Sequence, residues 1–299
     1  ERVTQAYQQA LAVLSQQATQ AENEGRTLDR GAATLRRDLL LELGSMQRDD
    51  LGDAASAERS YAAILEHDET HQGAYEALQA LLVARSADQE LLELYRRRVD
   101  VVYNQREQRE LLGRIIDIAR NKLGDRETAV RTAEELLDLV PDDLETIQLL
   151  GRMYFESRER RDREALEDLL GRWSELVDDQ TMRHKLTNRR AEIRTQDLGD
   201  AFGAVDLLGQ VLGENPDDGD ARNLLEQLLD INEVQTQVAD LLQPIYDRHG
   251  NDEGKIRILS VRRALAEAEG STDRATSHLL QIAQIEEQKL NNPQRAFDV

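Results

Sequence analysis

The chain has 299 residues and a formal net charge of −21, from 38 Lys and Arg against 59 Asp and Glu. This acidic excess argues against nucleic acid as a partner, because phosphate binding depends on Lys and Arg, and it favours a basic partner. The absence of cysteine excludes disulfides and thiolate chemistry. No apolar run approaches the roughly 20 residues that a membrane-spanning helix needs.

Residues 1–47 predict two long helices, with Ala, Leu and Val stripes and a loop bounded by Gly25. We assign them as the N-terminal hairpin of a helical array. The chain begins at Glu1 rather than at Met, so we expect a piece of a longer protein. Because no signal peptide is present in these residues, we expect a cytoplasmic location.

The tripeptide Leu-Gly-Asp occurs three times, beginning at Leu51, Leu123 and Leu198, at intervals of 72 and 75 residues. In each copy an alanine lies four residues after the Asp, and an apolar pair begins seven residues later. The glycine is suited to ending one helix and the Asp to capping the next. A long repeat of helical pattern predicts an all-α solenoid, in which each unit packs on its neighbours.

Each of the first two intervals has room for two helical hairpins of about 36 residues, because a helix–turn–helix unit of such arrays has about that length. Further helices are predicted over 88–103 and 106–122 in the first copy, and over 162–177 and 180–196 in the second. We treat residues 48–197 as one region of two double hairpins.

The third copy is longer, since Leu198 lies 92 residues before the next similar opening at Leu290. Helices are expected near 219–230, 234–249, 252–269 and 272–289, which is one helix more than in the other copies. We therefore predict an extra helix inserted near residues 219–230. Residues 198–299 form the last region, and its final unit, from Asn292, is expected to be truncated.

The sequence resembles the tetratricopeptide repeat family, in its degenerate, long-array bacterial form. Leu150-Gly151 with Tyr154 is similar to the first-helix signature of that family, and so is Leu242 with Tyr246 and Gly250. The series Ala129, Ala133, Leu136 and Pro141 is similar to the second-helix signature. The resemblance implies a right-handed superhelix of antiparallel helix hairpins, with a groove that binds proteins or peptides.

The same resemblance implies which residues line the groove. They are Glu145, Gln148, Arg152 and Phe155 in the central unit, and Gln237, Asp240 and Asp247 in a later one. The Lys and Asn clamp with which this family holds a terminal carboxylate is absent at the matching positions. Binding of chaperone tails is therefore not expected.

The pair His67 and His71 has the i, i+4 spacing of a zinc site on a helix face. The repeat register instead places both residues in a turn between helices, so no metal site is predicted. No cofactor site and no catalytic residue are predicted either, because adjacent carboxylates carry no information in so acidic a chain.

The arginine cluster near residue 160 and the single residue Trp173 each have two interpretations. Four arginines at positions 158, 160, 161 and 163 fit a solvated turn, although a contact with an acidic partner would also explain them. Trp173 has the helical spacing of a core residue rather than an exposed anchor.

These patterns predict a non-enzymatic scaffold or adaptor that holds another protein or peptide, with a basic partner favoured by charge. The alternative is an accessory or regulatory region of a larger enzyme or signalling protein, whose catalytic domain lies outside these residues. Self-association through exposed apolar ends of the array is a third expectation.

Overall fold

The computed structural model describes residues 2–25, 27 and 29–298, and within these residues it contains sixteen α-helices and no strand. The helices are α1 Arg2–Asn23, α2 Arg30–Asp49, α3 Ala54–Leu65, α4 Gln72–Ala84, α5 Asp88–Val101, α6 Gln105–Asp117, α7 Arg126–Leu139, α8 Leu144–Glu156, α9 Arg160–Leu176, α10 Gln180–Ile193, α11 Ala201–Glu214, α12 Gly219–Leu228, α13 Gln235–His249, α14 Asp252–Ala268, α15 Thr272–Gln288 and α16 Pro293–Asp298. Two π-helical turns, Ile118–Leu123 and Arg194–Leu198, extend α6 and α10. No described helix is both long enough and apolar enough to cross a membrane.

The chain divides into two compact units, residues 1–146 (unit 1) and 147–299 (unit 2). In unit 1 each helix from α1 to α7 packs on the next, and in unit 2 the same holds from α9 to α16. In unit 2, α10 also contacts α12 and α11 contacts α13, so alternate helices form two layers. The predicted all-α repeat fold is thereby confirmed. Its handedness and the three predicted regions stay predictions.

The Leu-Gly-Asp turns have the predicted structure. Gly52, Gly124 and Gly199 are left-handed, with φ of 62°, 66° and 74°, a conformation that glycine adopts without a Cβ penalty. The aspartate that follows each glycine caps the next helix through its carboxylate. Hydrogen bonding to the side chain and backbone of Ser56 lowers the pKa of Asp53, as expected for a carboxylate that is charged in its cap.

A turn with similar backbone angles lies within the long third interval, at Gly270. Gly270 has φ 74°, and Ser271, at φ −88° and ψ 79°, has nearly the backbone geometry of Asp53 at −93° and 77°. Ala275 follows four residues later, and Ile282-Ala283 takes the place of the apolar pair. The backbone hydrogen bonds of the Leu-Gly-Asp turns recur at Leu290 instead. The N–H of Asn292 donates to the carbonyl six residues earlier, as the N–H groups of the three capping aspartates do, whereas the N–H of Ser271 donates to Ala266, five residues earlier.

The predicted extra helix of the third interval is confirmed in number. Five helices, α11 to α15, do lie between Leu198 and Leu290, as the 92-residue interval required. Because α12 follows α11 as α4 follows α3 and α8 follows α7, which of the five helices is the extra one stays a prediction.

Close helix packing depends on glycines that face tyrosine rings. A Cβ added at Gly44 of α2 would lie 2.8 Å from Cε1 of Tyr61 in α3, and one at Gly254 would lie 2.7 Å from Cε2 of Tyr246. Both tyrosines are almost fully buried. The neighbouring rings therefore have no room to move away from a larger residue.

We expect Gly44→Ala to lower the free energy of unfolding by about 1–3 kcal/mol, because the methyl group overpacks the contact with Tyr61. The matched control is Gly113→Ala in α6, where an added Cβ meets no atom within 4 Å. That variant should be stabilised by up to about 1 kcal/mol, since alanine favours the helix. Urea unfolding followed by circular dichroism measures both, and equal shifts in the two variants would contradict the packing argument.

Candidate functional site

Three of the four predicted groove residues of α8 lie together in unit 2. Gln148, Arg152 and Phe155 are exposed and line a cavity of about 340 Å³ between α8, α9 and α10, which we call the Phe155 cavity. They share a face because their spacings of four and three residues follow the helical period. Glu145, one turn earlier, is exposed but does not line this cavity.

Phe155 is the most exposed aromatic side chain of this cavity, at 53%. The guanidinium carbon of Arg189 lies 5.1 Å from the centre of its ring, and that of Arg163 lies 5.4 Å away. Both distances fit cation–π contacts. Arg163 belongs to the predicted basic cluster, so at least one of its members contacts an aromatic ring rather than only solvent.

The floor of the Phe155 cavity is apolar. Leu166 and Leu170 of α9 are buried beneath it. Trp173, predicted to be a core residue, is half-buried and lines the same cavity. Arg152 makes no hydrogen bond or ion pair with any described residue. The cavity therefore offers apolar surface beside an available guanidinium group.

A second cavity of about 370 Å³ continues from the first between α10 and α12, and Arg189 lines both. Its lining includes Lys185 and Glu192 of α10 and Asp220, Leu224 and Gln227 of α12. Glu192 forms an ion pair with Arg189. We call the two cavities together the α8–α10–α12 groove.

The groove positions recur along the sequence, and the predicted set of groove residues did not include the later copies. A shift of 37 residues carries Gln148, Arg152 and Phe155 onto residues 185, 189 and 192, and a further shift of 35 carries them onto 220, 224 and 227. All nine residues line the groove. Shifting the α8 positions along the sequence by the length of one hairpin would have identified Arg189.

The second predicted set lies elsewhere. Gln237, Asp240 and Asp247 are exposed on α13 and line neither cavity of the groove. The α13 helix holds the place of α5 and α9 in the repeat, whereas α8 and α12 share another place. Asp240 is 2.6 Å from Arg262 Nη2, and Asp247 is 3.4 Å from Lys255 Nζ, so both carboxylates already have cationic partners.

The turn interpretation of His67 and His71 is confirmed. Both residues lie between α3 and α4, and His71 caps α4 by accepting a hydrogen bond from the backbone N–H of Ala74 at 3.0 Å through Nδ1. Within the described part of the chain, no group of three or more His, Cys, Asp or Glu has an arrangement that could hold a metal ion.

No family model and no curated protein matches the sequence. Solved structures that the chain is similar to include a tetratricopeptide repeat protein from Parabacteroides merdae, at 17% identity, covering 87% of this chain and 98% of that one, with a TM-score of 0.31. YrrB, a tetratricopeptide repeat protein with an unusual peptide-binding site, matches at 14% identity over 63% of this chain and 91% of its own, also with a TM-score of 0.31. A thermophilic tetratricopeptide repeat protein of Thermus thermophilus matches at 18% identity, 64% and 99% coverage and a TM-score of 0.26.

Proposed function

We propose that the chain is a protein-interaction scaffold and that the α8–α10–α12 groove binds an extended segment of another protein. The observation that carries the proposal is the threefold repeat of groove positions on α8, α10 and α12, which lines two cavities joined at Arg189. A continuous groove of this kind suits a chain segment better than a compact small molecule, because its contacts recur at regular intervals along its length.

Phe155 is proposed as the main anchor of the groove. Its half-exposed ring lies beside the half-buried Trp173 and the unpaired Arg152, and aromatic and arginine side chains dominate the binding energy of protein interfaces. An apolar side chain of the partner would cover the Phe155 cavity. Polar groups of α10 and α12 would then contact the following residues of the partner.

The proposed partner is basic, and this part of the proposal rests on the whole chain. The groove itself is balanced, with Arg152, Lys185 and Arg189 against Glu156, Glu192 and Asp220. The charge of −21 therefore acts over longer distances, by speeding the encounter with a cation rather than by pairing in the groove. Added salt should slow the association and leave dissociation nearly unchanged.

Selection of a phage-displayed library of random 12-residue peptides on the immobilised protein tests this proposal. We expect enriched peptides to combine apolar and basic residues, and to bind the Phe155→Ala variant at least tenfold more weakly, which corresponds to about 1.4 kcal/mol. Association and dissociation rates at low and high salt then test the electrostatic part.

Phe202→Ala is the matched control, because Phe202 is 50% exposed on α11 of the same unit and lines neither groove cavity. Enriched peptides that bind wild type and Phe155→Ala equally would contradict the groove assignment. Equal losses in both variants would show a nonspecific effect of exposed aromatic rings. Light scattering over a range of protein concentrations tests the separate prediction of self-association.

A further inference from the structure

A second cavity with different chemistry lies in unit 1, between α1, α2 and α3. It has a volume of about 490 Å³, within the range of small-molecule sites, and its lining includes Arg30, Arg36 and Arg37 of α2 and His67 after α3. Among the described residues, Asp68 is the one carboxylate that lines it. The described lining of this cavity therefore has more cationic than anionic side chains, in a chain of charge −21.

Two of these arginines have no anionic partner among the described residues. Arg37 pairs with Asp38 at 3.1 Å, but Arg30 and Arg36 make no hydrogen bond or ion pair within that part of the chain. Asp68 already accepts a hydrogen bond from the Thr70 hydroxyl at 2.7 Å. Two guanidinium groups in the same cavity are therefore available to a ligand.

The Nε of Arg36 is buried and has no hydrogen-bond acceptor. Among the described arginines, Arg163 and Arg263 also have a buried, unpaired Nε. Those two lie 3.8 Å from Asp197 and 3.5 Å from Glu267, whereas Arg36 has no described carboxylate within 4 Å. A buried donor without an acceptor is costly, and an anion bound in this cavity would satisfy it.

We propose that this cavity binds a phosphate group carried on an apolar body. The two unpaired guanidinium groups match the two charges of a phosphate monoester and can donate paired hydrogen bonds to its oxygens. The hydroxyl of Thr34 also lines the cavity and can donate a further hydrogen bond. Leu40 and Ile64 supply apolar surface to the rest of the ligand.

The site is separate from the α8–α10–α12 groove, because all of its lining residues belong to unit 1 and all groove residues belong to unit 2. Its function does not depend on the proposed scaffold activity. Failure of one proposal would leave the other unchanged.

Titration calorimetry with four probes tests the site. Phenyl phosphate carries both the dianion and the apolar body, inorganic phosphate lacks the body, benzoate is a monoanion and phenol has no charge at neutral pH. We expect phenyl phosphate to bind most tightly and phenol not to bind. Benzoate binding as tight as that of phenyl phosphate would overturn the assignment to phosphate, and inorganic phosphate binding equally well would overturn the requirement for an apolar body.

Variants locate the binding. Arg36→Gln and Arg30→Gln should each weaken phenyl phosphate binding about tenfold, as expected for loss of a charge-assisted hydrogen bond, and Arg36→Lys should weaken it less. Arg48→Gln is the matched control, since Arg48 is on the same helix, pairs with Asp49 at 2.7 Å and does not line the cavity.

A spectroscopic readout is independent of affinity and of folding defects in the variants. In the wild-type protein, the ¹⁵N–¹H signal of Arg36 Nε should shift and exchange more slowly when phenyl phosphate is added. No shift at a probe concentration that saturates the calorimetric signal would overturn the proposed site, as would an equal loss of binding in Arg48→Gln.

Discussion

Replacing Glu167 with alanine is expected to lower the free energy of unfolding of unit 2 by about 3 kcal/mol. The Glu167 side chain on α9 is only 6% exposed, and its carboxylate accepts hydrogen bonds from Arg190 Nε at 2.8 Å and Arg194 Nε at 3.0 Å. The hydrogen bond that Arg194 donates to Glu167 is also the main cause of the raised pKa of Arg194. Removing the carboxylate leaves two partly buried guanidinium groups without their shared anion.

The destabilisation caused by Glu167→Ala should extend to the turn that precedes α11. Arg194 begins the π-helical turn that ends at Leu198, and its Nη1 lies 3.2 Å from the capping carboxylate of Asp200. Loss of Glu167 therefore loosens an arginine that connects α9 to the turn preceding α11. In hydrogen exchange, we expect the first turn of α11 to lose more protection than α15.

Glu164→Ala provides the control on the same helix. Glu164 pairs with Arg160 at 3.0 Å, but both side chains are more than half exposed, and such surface pairs contribute less than about 0.5 kcal/mol. Urea unfolding of the two variants compares a buried and an exposed carboxylate directly. Similar losses in both would show that burial of Glu167 adds nothing to its ion pairs.

The local pattern of the sequence predicted the helices well because each turn carries its own signal. A left-handed glycine followed by a capping residue depends on only two or three positions, and the helix stripes depend on spacing alone. The turn at Gly270 was predicted from the helix stripes on either side of it, because the Leu-Gly-Asp tripeptide does not occur there.

The candidate site was only partly predictable. Three residues of α8 were placed in one cavity, since helical periodicity alone puts them on one face. The α13 set was chosen by likeness to a motif, and motif likeness does not distinguish the two kinds of helix that alternate along the array. Arg36 had no local signal, because its unpaired state depends on which carboxylates three helices bring near it.

Leu208→Ala is expected to lower the free energy of unfolding by about 2–5 kcal/mol, the cost of removing a large side chain from a closed core. Leu208 of α11 is fully buried, in a cluster that includes Leu225, Val238 and Leu242. Leu280→Ala on α15 is the control, because Leu280 is 63% exposed. Its change should stay within about 0.5 kcal/mol, and both variants can be measured by urea unfolding.

The residues at the position of Leu208 in the other two copies bear on this prediction. Counted from each capping residue, the position of Leu208 holds Tyr61 in the first copy and Ala133 in the second, and all three are buried. An alanine is thus accepted at this position where the surrounding side chains fill the space. If Leu208→Ala is as stable as the wild type, neighbouring residues of unit 2 must repack freely. A loss of several kcal/mol would show that the core around Leu208 cannot close over an alanine, although the matching position of the second copy holds Ala133.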